Sequence, residues 1–429
     1  MKKGNSIFCL LLLIVFLCHN LQAQRKSRKV DDWKKEWTSF TPNTIEYPEV
    51  DTIISGNIDK DLHLCRYKTY ALSGDVYVTN NAKLSIGAGT IIRCDSQNPT
   101  NLIVTKGAKL VAIGSKRIPI VFTSNKRTGN KKAGDWGGIY VMGSGTISDT
   151  SGLPSDSLPS SLKLGEYGGT DIDEETVIMR YVRVEYGGKV TKTNAEGAAL
   201  NFYALGNTSS LDNVMVSYSQ NDSFSFTGGD GYFSKFISYK TGDDDFYIQR
   251  GFKGGIKKSL VLRDLTTLNT DHSFAIEAKG FSVVEETTNT EDIAFASFRN
   301  FIFANEIDDP NQDTIKALVS LQNLAKVHIY DSTISGFSNV VAFDNSYTDD
   351  NQVRKSFTVN NSIININKDV LILPSHIDKT FVKSTVKYNQ YTENPINFKQ
   401  LFTNTTPENL EDLDVDETFV KSARLSGMD

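Results

Sequence analysis

Short strand-like segments of this 429-residue chain repeat one another at intervals of 22 to 28 residues. Residues 78–84 read VTNNAKL and residues 104–110 read VTKGAKL, so five of seven positions are identical across a spacing of 26 residues. Each copy continues into an apolar stretch that contains glycine. Repetition of this length is typical of chains whose repeats stack on one another, and it predicts a repeat architecture.

A second repeat is marked by a phenylalanine two residues before another large apolar side chain. Its copies are NDSFSF, DDDFYI and DHSFAI, with phenylalanines at Phe224, Phe246 and Phe274, so the intervals are 22 and 28 residues. Unequal intervals are expected when the coils of one helix carry turns of different length, and less so for propeller blades. We expect these three phenylalanines to form one column inside a tube.

Within these copies the side chains alternate with a period of two. Phe246 and Ile248 point to one face of the strand, whereas Asp245 and Tyr247 point to the other. Short strands rich in Val, Ile, Phe, Thr and Tyr recur along most of the chain, and no convincing amphipathic helix precedes the C-terminal end. The pattern predicts an all-β fold, a single-stranded parallel β-helix in which equivalent strands stack in register.

The first residues have the three zones of a secretory signal peptide. Lys2 and Lys3 form a basic start, residues 7–17 are apolar, and Leu21-Gln22-Ala23 forms a polar exit. The apolar stretch is shorter than the roughly 20 residues that span a bilayer. We therefore expect cleavage after Ala23 and export to the periplasm, the outer-membrane surface or the extracellular space, with no later transmembrane segment.

The remaining chain divides by composition into three parts. Residues 24–69 are expected to form an N-terminal arm and cap, residues 70–379 the β-helix, and residues 380–429 a C-terminal cap or tail. Coils of this length give about a dozen turns of the solenoid, which at about 4.8 Å per coil is a stack about 60 Å long. Residues 149–159 are rich in Ser, Pro and Asp and predict a long surface loop.

Charge and cysteine content exclude several classes of partner. The formal net charge is −5, and the 46 basic residues are scattered, so the sequence does not support a nucleic-acid partner. Without the signal peptide only Cys65 and Cys94 remain. They are either two buried thiols or a disulfide, which would stabilise the fold by about 3–4 kcal/mol. No cysteine and histidine cluster supports a zinc site.

Several ordered segments resemble a family of exported right-handed β-helix proteins of Bacteroidota-type bacteria. They lie between residues 70 and 254 and read YALSGDVYV, NAKLSIGAGTII, LIVTKGAKLVAIG, PIVFTS, GDWGGIYVMG, YVRVEYGG and GDDDFYIQRGFKG. The resemblance implies a right-handed parallel β-helix at the cell surface or secreted, and it implies no general activity. The C-terminal ETFVKSARLSGMD lacks the strands of the sorting domain that many relatives carry, so the mode of surface attachment stays open.

Acidic residues cluster at the start of the DDDF segment. Asp243, Asp244 and Asp245 are adjacent in sequence. The repeat places Asp222 and Asp230 in the preceding coil, and also Asp271 in the following one. Stacked acidic side chains would lie about 5 Å apart and repel one another unless something compensates.

Three kinds of compensation are open for this cluster. A calcium ion could bind the carboxylate and backbone oxygens. Backbone amides of the turn could donate to the carboxylates. Cationic side chains could pair with them, and the nearest in sequence are Lys240, Arg250 and Lys253.

The sequence leaves two functions open beside a purely structural spacer. The first is a non-catalytic protein that binds glycan or protein along one long face. Five tyrosines either form an exposed strip that contacts such a ligand or, as is favoured in β-rich folds, are structural residues of the solenoid wall; they are Tyr167, Tyr186, Tyr218, Tyr239 and Tyr247. The alternative is a carbohydrate-active enzyme, a polysaccharide lyase or glycoside hydrolase, with its site at residues 222–253. Lyase chemistry needs a cation and a base, and a hydrolase needs two carboxylates at a set separation.

Overall fold

The computed structural model describes residues 33–97, 100–148, 165–189, 197–264, 273–281, 293–311, 315–378, 385–392 and 394–416. The expected signal peptide, the loop at residues 149–159 and Asp271 lie outside these ranges. Within them, no helix is both long and apolar enough to cross a membrane.

Strands dominate the described chain. In chain order they are β1 Thr52–Ile58, β2 Leu62–Leu64, β3 Thr69–Val78, β4 Lys83–Ile86, β5 Ile91–Cys94, β6 Asn101–Val104, β7 Lys109–Ile113, β8 Ile120–Ser124, β9 Gly138–Met142, β10 Val177–Glu185, β11 Leu200–Leu205, β12 Ser210–Ser217, β13 Phe224–Tyr239, β14 Phe246–Gln249, β15 Lys253–Arg263, β16 Ile276–Lys279, β17 Phe295–Asn305, β18 Val319–Gln322, β19 Lys326–Tyr330, β20 Thr333–Phe337, β21 Val341–Phe343, β22 Phe357–Asn360, β23 Ile363–Ile366, β24 Leu371–Ile372, β25 Val386–Lys387, β26 Gln390–Tyr391, β27 Phe402–Thr403 and β28 Asp414–Val415. The helices are α1 Asp350–Ser356 and α2 Phe398–Leu401, with 3-10 turns at Pro42–Thr44 and Leu410–Asp412.

The strands β1 to β26 pair in parallel, and each pairs with a strand of the next coil, so the chain winds into a three-sided parallel β-helix. Each coil runs through face 1, face 2 and face 3 in that order. Face 1 contains residues 56–58, 75–78, 101–104, 138–142, 200–205, 224–229, 246–249, 276–279, 319–322, 341–343 and 371–372. Face 2 contains residues 62–64, 83–86, 109–113, 177–180, 210–213, 230–234, 253–257, 295–299, 326–330, 357–360 and 386–387. Face 3 contains residues 52–54, 69–72, 91–94, 120–124, 182–185, 214–217, 236–239, 259–263, 301–305, 333–337, 363–366 and 390–391.

The corner between faces 2 and 3 is a single residue in the left-handed region. Five successive coils place Tyr181, Asn213, Lys235, Lys258 and Asn300 at this corner, with φ of 52°, 57°, 60°, 59° and 56°. One residue at positive φ bends the chain without a loop, although this backbone conformation is strained for any residue other than glycine. Because one residue is enough for this corner, the long strands β10, β12, β15 and β17 pass through it and each contributes to faces 2 and 3. Strand β13 passes through it as well and contributes to all three faces.

Apolar side chains from all three faces fill the tube. Phe224 pairs with Phe246 one coil above it, and their rings stack with centroids 5.3 Å apart. The predicted phenylalanine column is therefore correct for this pair. It is wrong for Phe274, because Phe246 pairs with Ile276 instead. Phe274 lies two residues earlier, in the turn before β16, and packs in a small separate cluster with Ala317.

The two described ends of the chain pack along the side of the solenoid. Face 3 presents Met215, Ile237, Tyr239, Leu260 and Leu262 on its outer surface, and they form one apolar cluster with Trp37, Phe40, Phe398, Leu401, Phe402 and Leu413. Lys34 donates to the backbone oxygen of Leu413 at 2.6 Å, so the N-terminal and C-terminal segments also touch each other. Burying a side chain such as Phe40 contributes about 1.5–3 kcal/mol.

This packing corrects the boundaries expected from the sequence. Strand β1 already pairs with β3, so the first coil begins at Thr52 and not at residue 70. The segment before it runs along face 3 toward this coil, where Arg93 donates to the backbone oxygen of Pro48 at 2.9 Å. The described terminal segments thus cover a lateral face, where they bury the apolar outer residues of face 3.

The corrected register predicts unequal effects of the same substitution at two phenylalanines. Phe246 is fully buried inside the tube, so Phe246→Ala should lower the free energy of unfolding by about 3–5 kcal/mol. Phe274→Ala should lower it clearly less, because this ring borders mainly small alanine side chains. Chemical denaturation followed by far-ultraviolet circular dichroism measures both. Equal losses would contradict the pairing of Phe246 with Ile276.

Candidate functional site

The acidic cluster lies at the corner where face 3 leads into face 1. Asp243, Asp244 and Asp245 precede β14, and Asp222 occupies the equivalent corner one coil below. Asp222 accepts the backbone N–H of Asp244 at 3.1 Å, and Asp244 accepts the backbone N–H of Phe274 at 2.6 Å. The carboxylates therefore form a ladder in which each binds an amide of the next coil. Backbone amides, one of the three compensations considered from the sequence, satisfy part of their charge.

Asp245 points into the tube, where it pairs with Arg263. The alternation expected from the sequence, with Asp245 on the face opposite Phe246, is wrong at this position because Asp245 lies at the corner before β14 begins. Both side chains are fully buried, and Asp245 also accepts a hydrogen bond from the hydroxyl of Ser238. Arg263 donates further to the backbone oxygens of Asp243, at 3.0 Å, and Phe274, at 2.7 Å. Burial raises the pKa of Asp245, and Arg263 opposes that rise. This ion pair holds two successive acidic corners together and is not accessible to a ligand.

Side chains on the outer surface of face 1 extend the cluster upward. Glu277 shares a hydrogen bond with Asp244, accepts one from Gln322 at 2.9 Å, and pairs with Lys279 at 3.1 Å. Lys279 also donates to the hydroxyl of Tyr247 at 2.8 Å. Burial would lower the pKa of Lys279, but Tyr247 and Glu277 outweigh burial and raise it. Lys279 is therefore a stable cation and a poor base.

The pKa of Asp244 is raised well above its ordinary value. Burial is the largest cause, followed by the charges of Asp222, Glu277 and Asp243. A hydrogen bond between the carboxyl groups of Asp244 and Glu277 requires a proton on one of them, which agrees with the raised pKa of Asp244. The raised pKa of Asp244 therefore has the cause expected from the sequence, a buried carboxylate close to other acidic side chains.

The cluster has the size of a cation site and the wrong spacing for one class of hydrolase. One oxygen each of Asp222, Asp243 and Asp244 lies within 4.8 Å of the others. Oxygens bound to one calcium ion at about 2.3–2.6 Å can be about 5 Å apart. Inverting glycosidases hold their carboxyl groups about 6.5–9.5 Å apart. Asp244 is only 2% exposed and Asp222 only 4% exposed, so substrate access to them is small.

Two residues assigned to the cluster from the sequence lie elsewhere. Asp230 begins the face 2 part of β13 and pairs with Lys253 of the next coil. Arg250 directly follows the C-terminal end of β14, whereas Asp245 directly precedes its N-terminal end. About 16 Å of extended chain therefore separates the two residues. The cations that the sequence missed are Arg263 and Lys279. Only the coil register, which pairs Tyr247 with Glu277, brings Lys279 beside the cluster.

Neither the disulfide nor the exposed tyrosine strip is present. Cys65 and Cys94 are free thiols, and they follow strands on different faces, since Cys65 comes directly after β2 and Cys94 ends β5. The tyrosine strip expected on the surface is wrong, because these rings pack under the chain segments that cross the outer faces or against one another. Tyr167, Tyr186, Tyr239 and Tyr247 are at most 4% exposed, and Tyr218 stacks on Tyr186.

The three faces differ in what covers them. Face 3 lies under the terminal segments. On face 1 an aromatic cluster that includes Tyr77, Tyr140 and Tyr203 is covered by Tyr167 and Ile147 of the long insertion after β9. Face 2 stays open over most of the described coils, with side chains that alternate between buried and solvent-facing, as in β7, β17 and β19. Among the described segments, the short helix α1 packs beside β19 and β22 at one end.

One comparison with known proteins gave a match. A family model described as a pectate-lyase like beta helix domain matches residues 56–407. No curated protein and no solved structure matched the chain.

The carboxylate ladder predicts opposite effects of one substitution at two adjacent residues. An acid whose pKa is raised by folding destabilises the protein as the pH rises above about 3.9, its unfolded value. Asp244→Asn keeps the acceptor for Phe274 and removes the charge, so it should maintain or raise the free energy of unfolding at pH 7 and flatten its dependence on pH. Asp245→Asn leaves Arg263 buried without its partner and should lower stability by about 3–5 kcal/mol.

Denaturation curves between pH 4 and 8, with EDTA and with calcium, measure both effects. Because backbone amides already compensate Asp222 and Asp244, we expect the same midpoint with and without calcium. A calcium-dependent gain in the unsubstituted protein that disappears in Asp244→Asn would instead establish a cation site at this corner.

Proposed function

Because the chain belongs to the family of pectate-lyase like beta helix domains, we propose that it is an exported protein that binds glycan along face 2 without cleaving it. The proposal takes the solenoid to be right-handed, the usual sense of parallel crossover connections. Export rests on the three zones of the N-terminal 23 residues. Fold alone does not imply function, so the assignment depends on the surface of the solenoid.

The proposal depends on the solvent exposure of the outer side chains of face 2. The outer surface of face 3 is buried by the chain's own terminal segments, and on face 1 the insertion after β9 covers an aromatic cluster on β3, β6, β9 and β11. Face 2 presents solvent-facing side chains on successive coils, and one of them, Tyr232, is 81% exposed. A flat row of side chains along the solenoid suits an extended polymer, which can contact several coils at once.

The geometry of the acidic corner supports a binding role over a catalytic one. The Asp222 and Asp244 carboxylates are buried, and each already holds a backbone amide. Lys279, which pairs with Glu277 beside the cluster, is held protonated by Tyr247 and Glu277 and does not suit the role of a base in a lyase.

A carbohydrate-active enzyme is the second candidate, and one observation favours it. Asp244, whose pKa is raised by burial and by neighbouring carboxylates, lies beside the more exposed Asp243, and acid–base catalysis by two carboxyl groups uses such a difference between their environments. Asp243 would then be the residue that touches the substrate.

A glycan array probed with residues 24–429 distinguishes these functions. We expect retention of at least one class of polysaccharide and no release of reducing ends or of unsaturated sugars that absorb in the ultraviolet. An array with no bound glycan would contradict the proposal. Product release that is abolished in both Asp243→Asn and Asp244→Asn would establish the enzyme instead.

A further inference from the structure

Tyr232 forms an exposed aromatic platform on face 2. It lies on β13, opposite Gly255 of β15 in the next coil, and its side chain is 81% exposed. A Cβ added to Gly255 would lie 3.2 Å from Cδ1 of Tyr232 and 2.4 Å from Oγ of Ser297. Glycine at this position therefore lets the Tyr232 side chain approach the neighbouring strand and leaves most of it open to solvent. Such a ring can stack on the apolar face of a sugar.

Cationic side chains flank this platform. Lys253 and Lys257 lie two residues to either side of Gly255, so both point outward on the same strand. Arg299 is directly opposite Lys257 on β17, and both are exposed. Like charges at directly opposite positions of a sheet are destabilising. The arrangement is thus unfavourable for the fold alone and favourable for an anion that bridges the two side chains.

The positive charge of this surface is only partly neutralised. Arg299 pairs with Asp331 at 3.0 Å, and Asp230 lies beside Lys253. Lys257 and Lys326 form no ion pair with the described residues. Lys326 continues the column of Lys253, with Phe295 between them on β17.

Aromatic rings continue along the same face. Phe295 packs edge-on against His328 with ring centroids 5.2 Å apart, and Arg299 lies over the ring of Tyr330 at 4.8 Å. The surface therefore crosses four neighbouring strands, β13, β15, β17 and β19, at about 4.8 Å per coil. A polymer that lies along the solenoid axis would meet a cation or an aromatic ring at each coil.

We propose that this face 2 surface, formed by Tyr232, Lys253, Lys257, Phe295, Arg299 and Lys326, binds an anionic polysaccharide. The inference rests on the proposed glycan binding and names its ligand class, a chain of sugars with regularly spaced carboxylate or sulfate groups. The sugar rings stack on the exposed aromatic surface while the anionic groups contact Lys257 and Arg299. A nucleic acid fits less well, because the chain as a whole carries a formal net charge of −5.

Binding of polygalacturonate, measured by calorimetry against neutral dextran, tests the inference. We expect binding to polygalacturonate alone, weakened by added salt. Tyr232→Ala and Lys257→Glu should each reduce the affinity at least about tenfold, a change of about 1.4 kcal/mol. The matched controls are Tyr67→Ala, at a ring that is likewise 81% exposed but lies between β2 and β3, and Lys316→Glu, at an exposed lysine outside face 2. Both controls should keep the affinity within about twofold.

The outcomes separate this inference from the proposed function. Binding of neutral glycans only, or polygalacturonate binding that neither Tyr232→Ala nor Lys257→Glu weakens, overturns the inference and leaves glycan binding intact. Absence of any glycan binding overturns both. Equal affinity for duplex DNA or for vesicles of anionic lipid overturns the assignment to a polysaccharide. All four variants change outward side chains, and circular dichroism confirms that each is folded.

Discussion

Parallel hydrogen bonding between successive coils fixes which residue lies above which, and every other feature of the molecule depends on that register. It stacks Phe224 on Phe246 inside the tube, where apolar burial stabilises the fold. The same rule places Lys257 opposite Arg299 on the outside, where no burial offsets their repulsion. A slip of one residue would exchange the inner and outer sets of side chains, so the apolar core strongly specifies the register.

The corners of the coils show how the fold accommodates charge. The carboxylates of Asp222 and Asp244 each accept a hydrogen bond from a backbone N–H group of the coil above. They thereby supply acceptors for N–H groups at the corner. Asp245 and Arg263 join adjacent coils from inside the tube. The acidic segment, which most suggests a catalytic site in the sequence, thus mainly stabilises the corner. Face 2 is the better candidate for ligand binding.

Coverage of the faces decides which surface a ligand can reach. The described segments before β1 and after β26 bury the outer side of face 3, and Lys34 joins them through its hydrogen bond to Leu413. The insertion after β9 covers the part of face 1 formed by β3, β6, β9 and β11. The exposed ring of Tyr232 and its flanking cations lie on face 2, the face that the described parts of the chain leave open. The proposed ligand therefore binds there.

The sequence by itself determined the all-β fold, the parallel stacking of coils, and the neighbours Phe224 and Phe246 or Asp222 and Asp244, because repeats and period-two alternation are local signals. It misplaced Phe274 because the turn before β16 differs in length, and turn length has no fixed signature. Only the tertiary structure decided that the tyrosines are buried, that the described terminal segments cover face 3, and that Tyr232 stays exposed. These properties depend on contacts between residues far apart in sequence, such as Trp37 and Leu401, which no local pattern encodes.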